Sequence, residues 1–129
     1  LGNMIWQDYE CAAVVDWELC TIGDPLLDLG EILATWPDPD GSGSGLAIQP
    51  WEGFAEEADL VRAYEEASGR ELGDLARWYC VLAAYKLGII LEGSHARACA
   101  GKAPKAIGDL LHAQTLGLFA RARARIDAG

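Results

Sequence analysis

Asn3-Met4-Ile5-Trp6-Gln7, then Cys11-Ala12-Ala13-Val14-Val15-Asp16-Trp17-Glu18, then Gly23-Asp24-Pro25-Leu26-Leu27-Asp28-Leu29: the reading of this stretch decides the fold. An amide side chain precedes a short apolar run, a polar turn at Gln7-Asp8-Tyr9-Glu10 interrupts it, and a β-branched run returns to end on a carboxylate. That pattern predicts two short strands joined as a β-hairpin. Antiparallel strands of similar length bring their outer ends together, so the Asn3 amide and the Asp16 carboxylate should lie side by side. An amide oxygen and a carboxylate on a rigid ribbon are hard ligands suited to Mg²⁺, which takes one or two protein oxygens and leaves room for substrate phosphates.

Beyond the ribbon the periodicity is helical, and the fold class expected is mainly α with a short β-hairpin. Asp24 offers an N-cap and Pro25 fits the first helical position. Leu26, Leu29, Ile32, Leu33 and Trp36 then recur at helical spacing until Pro37 stops the run. This helix is expected to pack beneath the hairpin. Residues 37–50, rich in Pro, Gly and Ser, read as a long loop, either a substrate-side flap or a plain surface connection. Over residues 53–67 an amphipathic helix sets Phe54, Leu60, Val61 and Tyr64 against a solvated acidic face of Glu56, Glu57, Asp59, Glu65 and Glu66, and Ser68-Gly69 closes it.

The helix expected over residues 72–98 is apolar nearly all round between Trp78 and Leu91, which places it at the centre of a bundle. Tyr79 and Tyr85 read as core aromatics. Lys86 should keep its stem buried and send its ammonium to solvent or a carboxylate, and His95 reads as a surface or capping residue. After a turn at residues 100–104, a last helix over 105–126 carries Ile107, Leu110, Leu111, Gln114 and Leu118 on its apolar stripe. Arg121, Arg123 and Arg125 complement its negative end.

The chain has 129 residues, 20 acidic against 10 basic, for a net charge of −10. This argues against a nucleic-acid partner, whose phosphates demand Lys and Arg, and favours cations or simple solubility. Four dispersed cysteines form no C-x-x-C pair, so buried free thiols in a reducing cytoplasm are expected rather than a cysteine zinc site or a disulfide framework. The apolar run from Trp78 to Leu91 contains Lys86 and falls short of the roughly 20 residues that span a bilayer. No membrane partner is expected, and self-association as a dimer is left open. The chain opens without an initiator Met on strand-forming residues, as the C-terminal part of a longer protein would.

Asn3, the Val14-Val15-Asp16-Trp17-Glu18 run, and Gly23-Asp24-Pro25 followed by Asp28-Leu29 resemble the second half of the active site of aminoglycoside-phosphotransferase-like and choline-kinase-like enzymes. The likeness is greatest to the branch similar to the kinase-like domains attached to some acyl-CoA dehydrogenases. The resemblance implies that residues 1–129 form the C-terminal helical lobe of a protein-kinase-like α+β fold. It also implies an ATP-dependent transfer of the γ-phosphoryl group to the hydroxyl of a small molecule. By the same resemblance Asn3 and Asp16 hold Mg²⁺, and Asp16 is the catalytic acid that bridges the metal to the β- and γ-phosphates. Glu18 is a cofactor-proximal acid, while Asp28 supports the catalytic-loop backbone, with Asp24 in a supporting role beside it. The family's His-Gly-Asp base would lie ahead of Leu1 with two residues between, and the nucleotide-binding lobe further upstream. The isolated chain is therefore expected to transfer phosphate poorly or not at all. A helical interaction module or pseudokinase that keeps the fold without the chemistry is the competing reading.

Overall fold

The structure, a computed structural model, describes residues 3–38 and 52–129. Residues 39–50 of the loop expected over 37–50, whether flap or plain connection, lie outside the described residues.

Strands β1 (Met4–Gln7) and β2 (Glu10–Val14) pair antiparallel, Met4 opposite Val14 and Gln7 opposite Glu10. The turn residues Asp8 and Tyr9 have φ of 50° and 67°. Positive φ at both central positions is the primed turn whose twist matches that of a two-stranded ribbon. The register steps from Ile5↔Ala13 to Trp6↔Cys11, leaving Ala12 as the extra residue of a bulge. Pairing continues past the formal strand end through the Val15 N–H to the Asn3 carbonyl at 2.9 Å.

Four helices follow: α1 (Leu26–Thr35), α2 (Glu57–Ser68), α3 (Asp74–Cys99) and α4 (Lys105–Asp127). The core lies where α1, α3 and α4 meet. Leu26, Leu29, Leu33 and Ala34 of α1 pack with Ala76, Cys80, Ala83 and Ala84 of α3 and with Leu118 and Ala122 of α4. Small residues on α3 let the helices approach closely. At Gly30 the approach is at its limit, because an added Cβ would sit 2.5 Å from the Tyr79 carbonyl oxygen. Helix α2 buries no residue fully but lays Leu60, Val61 and Tyr64 against this core. It ends at Gly69 with φ of 68°, the left-handed C-cap its sequence predicts.

Several expectations are corrected. Helix α1 packs on α3 rather than beneath the hairpin, whose strand residues are all exposed except half-buried Met4. Helix α3 is not buried all round: Trp78, Tyr85, Ile89 and Ile90 are exposed, and its buried face is the small-residue line Ala76, Cys80, Ala83, Ala84 and Gly88. On α4 the expected stripe holds in part: Leu118 is buried and Leu111 and Gln114 are half-buried, but Ile107 and Leu110 face solvent, and Gly108, Thr115 and Ala122 share the inner face with Leu118. Of the cysteines only Cys80 is buried, its thiol pushed up by desolvation; Cys11, Cys20 and Cys99 are exposed.

Two of the arginines of α4, Arg121 and Arg125, are clasps rather than a dipole complement alone, while Arg123 pairs with Asp127 on its own helix. Arg121 donates to the Ala34 and Trp36 carbonyls at 3.3 and 2.7 Å, closing the C-terminus of α1, and pairs with Asp38. Arg125 forms a two-pronged pair with Glu57 that fastens α2 to α4. The acidic face of α2 is correspondingly less free than its sequence implies, since Glu65 accepts the Leu72 N–H at 2.7 Å and Asp59 accepts that of Glu56 at 3.0 Å.

Candidate functional site

The ribbon brings its two chemically distinctive side chains into contact. Asn3 Nδ2 donates to Asp16 Oδ2 at 3.0 Å, across 13 residues of chain. Two local features produce this. The Val15–Asn3 backbone bond keeps the strand ends in register, and Asp16 then leaves the strand in a left-handed conformation (φ 67°, ψ 49°), which Asp tolerates better than most residues. A 3₁₀ turn over Trp17–Leu19 follows, and the Trp17 indole N–H returns to the Val14 carbonyl at 2.6 Å, holding the turn against the strand end. With one oxygen of Asp16 and the amide nitrogen of Asn3 engaged, Asn3 Oδ1 and Asp16 Oδ1 have no protein partner among the described residues. Both are hard oxygens, a donor set that fits Mg²⁺.

Asn3 and Asp16 stand at the rim of a cleft of about 1160 Å³ between the ribbon and α1, α3 and α4. Its charged lining is Asp16, Asp24, Asp28 and Glu31 against Lys86 alone. Lys86 reaches the Glu31 carboxylate at 3.3 Å, as expected, but its side chain is more than half exposed, so its stem is not buried in the core. The cleft is therefore a region of negative potential that favours a bound cation.

Asp24 anchors the structure behind the cleft. Its Oδ1 caps α1 by accepting the Leu26 N–H at 3.0 Å, and its Oδ2 accepts the Tyr79 hydroxyl at 2.9 Å. Those two bonds, with Arg70 at 3.7 Å, hold its carboxyl below the usual carboxylate range; in return the Tyr79 phenol is raised by its bond to Asp24. Asp28 lines the cleft from the first turn of α1, and its carboxylate makes no hydrogen bond among the described residues. Glu18 is exposed on the 3₁₀ turn, outside the cleft lining and without a bond to Asn3 or Asp16. The structure thus unites Asn3 and Asp16, sets Asp28 nearby, and leaves Glu18 apart.

Glu31 is a cleft residue that sequence reading missed. The available signal was its position three residues after Asp28, which puts both carboxylates on one face of α1. Tyr79 packs against the core as its spacing suggests, and its hydroxyl also ties α3 to Asp24, a contact 55 residues distant that leaves no local trace.

The ribbon thus sets a paired amide and carboxylate over an acid-lined helical cleft. The family model of the phosphotransferase enzyme family (APH) matches residues 1–86, and the chain belongs to that family. No solved structure matches the chain. Among the described residues no helix is long and apolar enough to cross a membrane.

Proposed function

We propose that this chain is the metal-holding, acceptor-side part of an ATP-dependent phosphotransferase that moves the γ-phosphoryl group to the hydroxyl of a small molecule. The observation that carries the reading is the 3.0 Å contact of Asn3 with Asp16, which fixes both side chains and leaves one oxygen of each for Mg²⁺. When bound, the ion neutralises charge on the phosphate oxygens as the phosphoryl group departs. Asn3 and Asp16 orient that ion on the ribbon, and Asp24 holds α1 so that Asp28 and Glu31 face the acceptor space. Those carboxylates favour an acceptor that carries a cationic group beside its hydroxyl.

The base that takes the acceptor proton and the lysine that clamps the nucleotide belong, in this reading, to segments ahead of Leu1, beginning with a His-Gly-Asp. On that basis residues 1–129 act as the C-terminal lobe of a kinase-like fold. The Gly23-Asp24-Pro25 and Val14-Val15-Asp16-Trp17-Glu18 runs support placement in the branch similar to acyl-CoA dehydrogenase-linked kinase domains. The four free thiols support a reducing, cytoplasmic setting.

The test is Asp16→Ala in a protein carrying this chain together with the upstream His-Gly-Asp segment. Transfer from ATP is expected to fall by on the order of 10²–10³-fold in kcat, the loss typical of removing one stabiliser of transition-state charge. Full activity in that variant would sink the metal role of Asp16.

A further inference from the structure

The two histidines of the chain, His95 on α3 and His112 on α4, meet across the helix interface with ring centroids 4.4 Å apart and planes 28° from parallel. One carboxylate serves both: Glu92 Oε1 lies 2.9 Å from His95 Nδ1, and Glu92 Oε2 lies 2.7 Å from His112 Nδ1. One ligand atom from each of the three residues falls within 4.8 Å of the others. We propose that Glu92, His95 and His112 form a transition-metal site of the zinc type that clamps α3 to α4, separate from the Asn3–Asp16 pair and independent of the reading above.

The ligand chemistry sets the kind of ion. Two imidazole nitrogens and one carboxylate suit Zn²⁺, Co²⁺ or Ni²⁺, whereas Mg²⁺ prefers all-oxygen sites and keeps its waters. Ligand atoms about 2.1 Å from a tetrahedral ion are about 3.4 Å apart, so side-chain rotation of about an ångström closes the present arrangement on one. Three protein ligands leave a fourth position for water.

The surroundings hold the cluster in place. One turn away on each helix, the buried Thr115 hydroxyl shares its proton between the Leu111 carbonyl at 3.0 Å and, across to α3, the Gly88 carbonyl at 3.2 Å. At Gly108 the helices touch so closely that a Cβ would lie 2.3 Å from that of Ala98, and this brings the imidazoles within reach of one carboxylate. The far nitrogen of His95, Nε2, is 3.3 Å from Cys99 Sγ. Without an ion each Nδ1 donates its proton to Glu92. On binding, the proton leaves Nδ1 for Nε2 or for solvent, the Nδ1 lone pair takes the metal, and on His95 the Nε2–H then donates to Cys99 Sγ. A second partner of this sort orients a ligating imidazole and raises its basicity.

The experiment follows the two imidazoles by NMR while Zn²⁺ is added to the full chain in millimolar Mg²⁺, which occupies hard-oxygen sites without competing for imidazole. With two histidines in the chain, both ring signals are assignable. The expected result is that both shift together and saturate at one equivalent, and that Glu92→Gln and His112→Gln each weaken binding by at least about tenfold with unchanged circular dichroism. If either variant fails to fold, the wild-type titration decides alone. Ring signals that do not move would overturn the proposal, as would binding that survives both substitutions. So would a Co²⁺ titration showing thiolate charge transfer without a shift of the rings, since the ion would then sit on the exposed cysteines.

Discussion

Replacing Gly30 by alanine sets two physical effects against each other, and the structure decides the sign. Helix propensity alone favours the change by about 1 kcal/mol, because glycine in a helix interior loses more backbone freedom than alanine. The structure opposes it: the new Cβ would lie 2.5 Å from the Tyr79 carbonyl oxygen and 2.7 Å from its carbonyl carbon. Both are backbone atoms of α3, so no side-chain rotation relieves the contact and the helices must separate. Overpacking of this kind costs about 1–3 kcal/mol, and a backbone-to-backbone clash belongs at the upper end. The net loss is about 2 kcal/mol, which lowers the melting temperature of a chain this size by about 7 °C. Gly93 supplies the control, since its added Cβ would meet nothing within 4 Å. Gly93→Ala is expected to raise the melting temperature by about 3–4 °C. Thermal melts by far-UV circular dichroism check both. If Gly30→Ala were stabilised as much as Gly93→Ala, the close approach of α1 to α3 would be refuted.

Arg121→Ala removes the donor that closes α1 at Ala34 and Trp36, and is expected to destabilise the chain by about 2 kcal/mol, as for other charge-assisted hydrogen bonds. Arg121→Lys should recover only part of that in urea titration, because a single ammonium cannot reproduce the planar fork. Asp24→Asn removes the carboxylate whose hydrogen bond and, less so, charge raise the Tyr79 phenol, so alkaline ultraviolet titration should show one tyrosine returning toward its ordinary range. Asp24, Asp59 and Asp109 are all held below the ordinary Asp value of 3.8, Asp24 and Asp59 first by backbone N–H bonds and Asp109 by Lys105. Groups lowered on folding contribute fully above that value and lose their contribution as pH falls through the lowered ones, so urea midpoints should hold down to about pH 4 and fall below it. Added salt should weaken the Lys105–Asp109 part of this effect more than the backbone-held Asp24 part.

What the sequence made legible was local. The Asp8-Tyr9 turn, the Asp24-Pro25 helix start, the Gly69 cap and the meeting of Asn3 with Asp16 all follow from spacing over at most 13 residues and from rules of backbone sterics. What it concealed was carried by small residues and by distance. On α3 and α4 several bulky residues that periodicity treats as core, Trp78, Ile107 and Leu110 among them, are exposed, because much of the close helix contact is made by Ala, Gly, Cys and Thr. Hydrophobicity cannot separate an alanine that lets a neighbouring backbone approach from one that faces water. The clasps Arg121–Trp36, Arg125–Glu57 and Tyr79–Asp24 join residues 85, 68 and 55 apart, and a single sequence has no term for such pairings. His112 escaped notice for the same reason, since its significance lies in Glu92 and His95 on another helix.

The position of the Asn3–Asp16 pair rests on an unusual division of labour. The ribbon that forms the pair is exposed on both faces and adds little to the core, so its internal geometry comes from the turn, the bulge and the Trp17 bond rather than from burial. Its orientation toward the cleft must then come from the connection into α1, and there Asp24 combines two tasks in one carboxylate. Capping α1 fixes where the helix begins, and accepting the Tyr79 hydroxyl fixes that beginning against α3. A substitution at Asp24 should therefore disturb the cleft carboxylates Asp28 and Glu31 relative to Asp16 while leaving the 3.0 Å contact within the ribbon intact. Loss at Asp16 would strike the chemistry of the pair itself. The two kinds of variant are separable in a protein competent for transfer: Asp24→Ala should raise KM for the acceptor more than it lowers kcat, and Asp16→Ala should do the reverse.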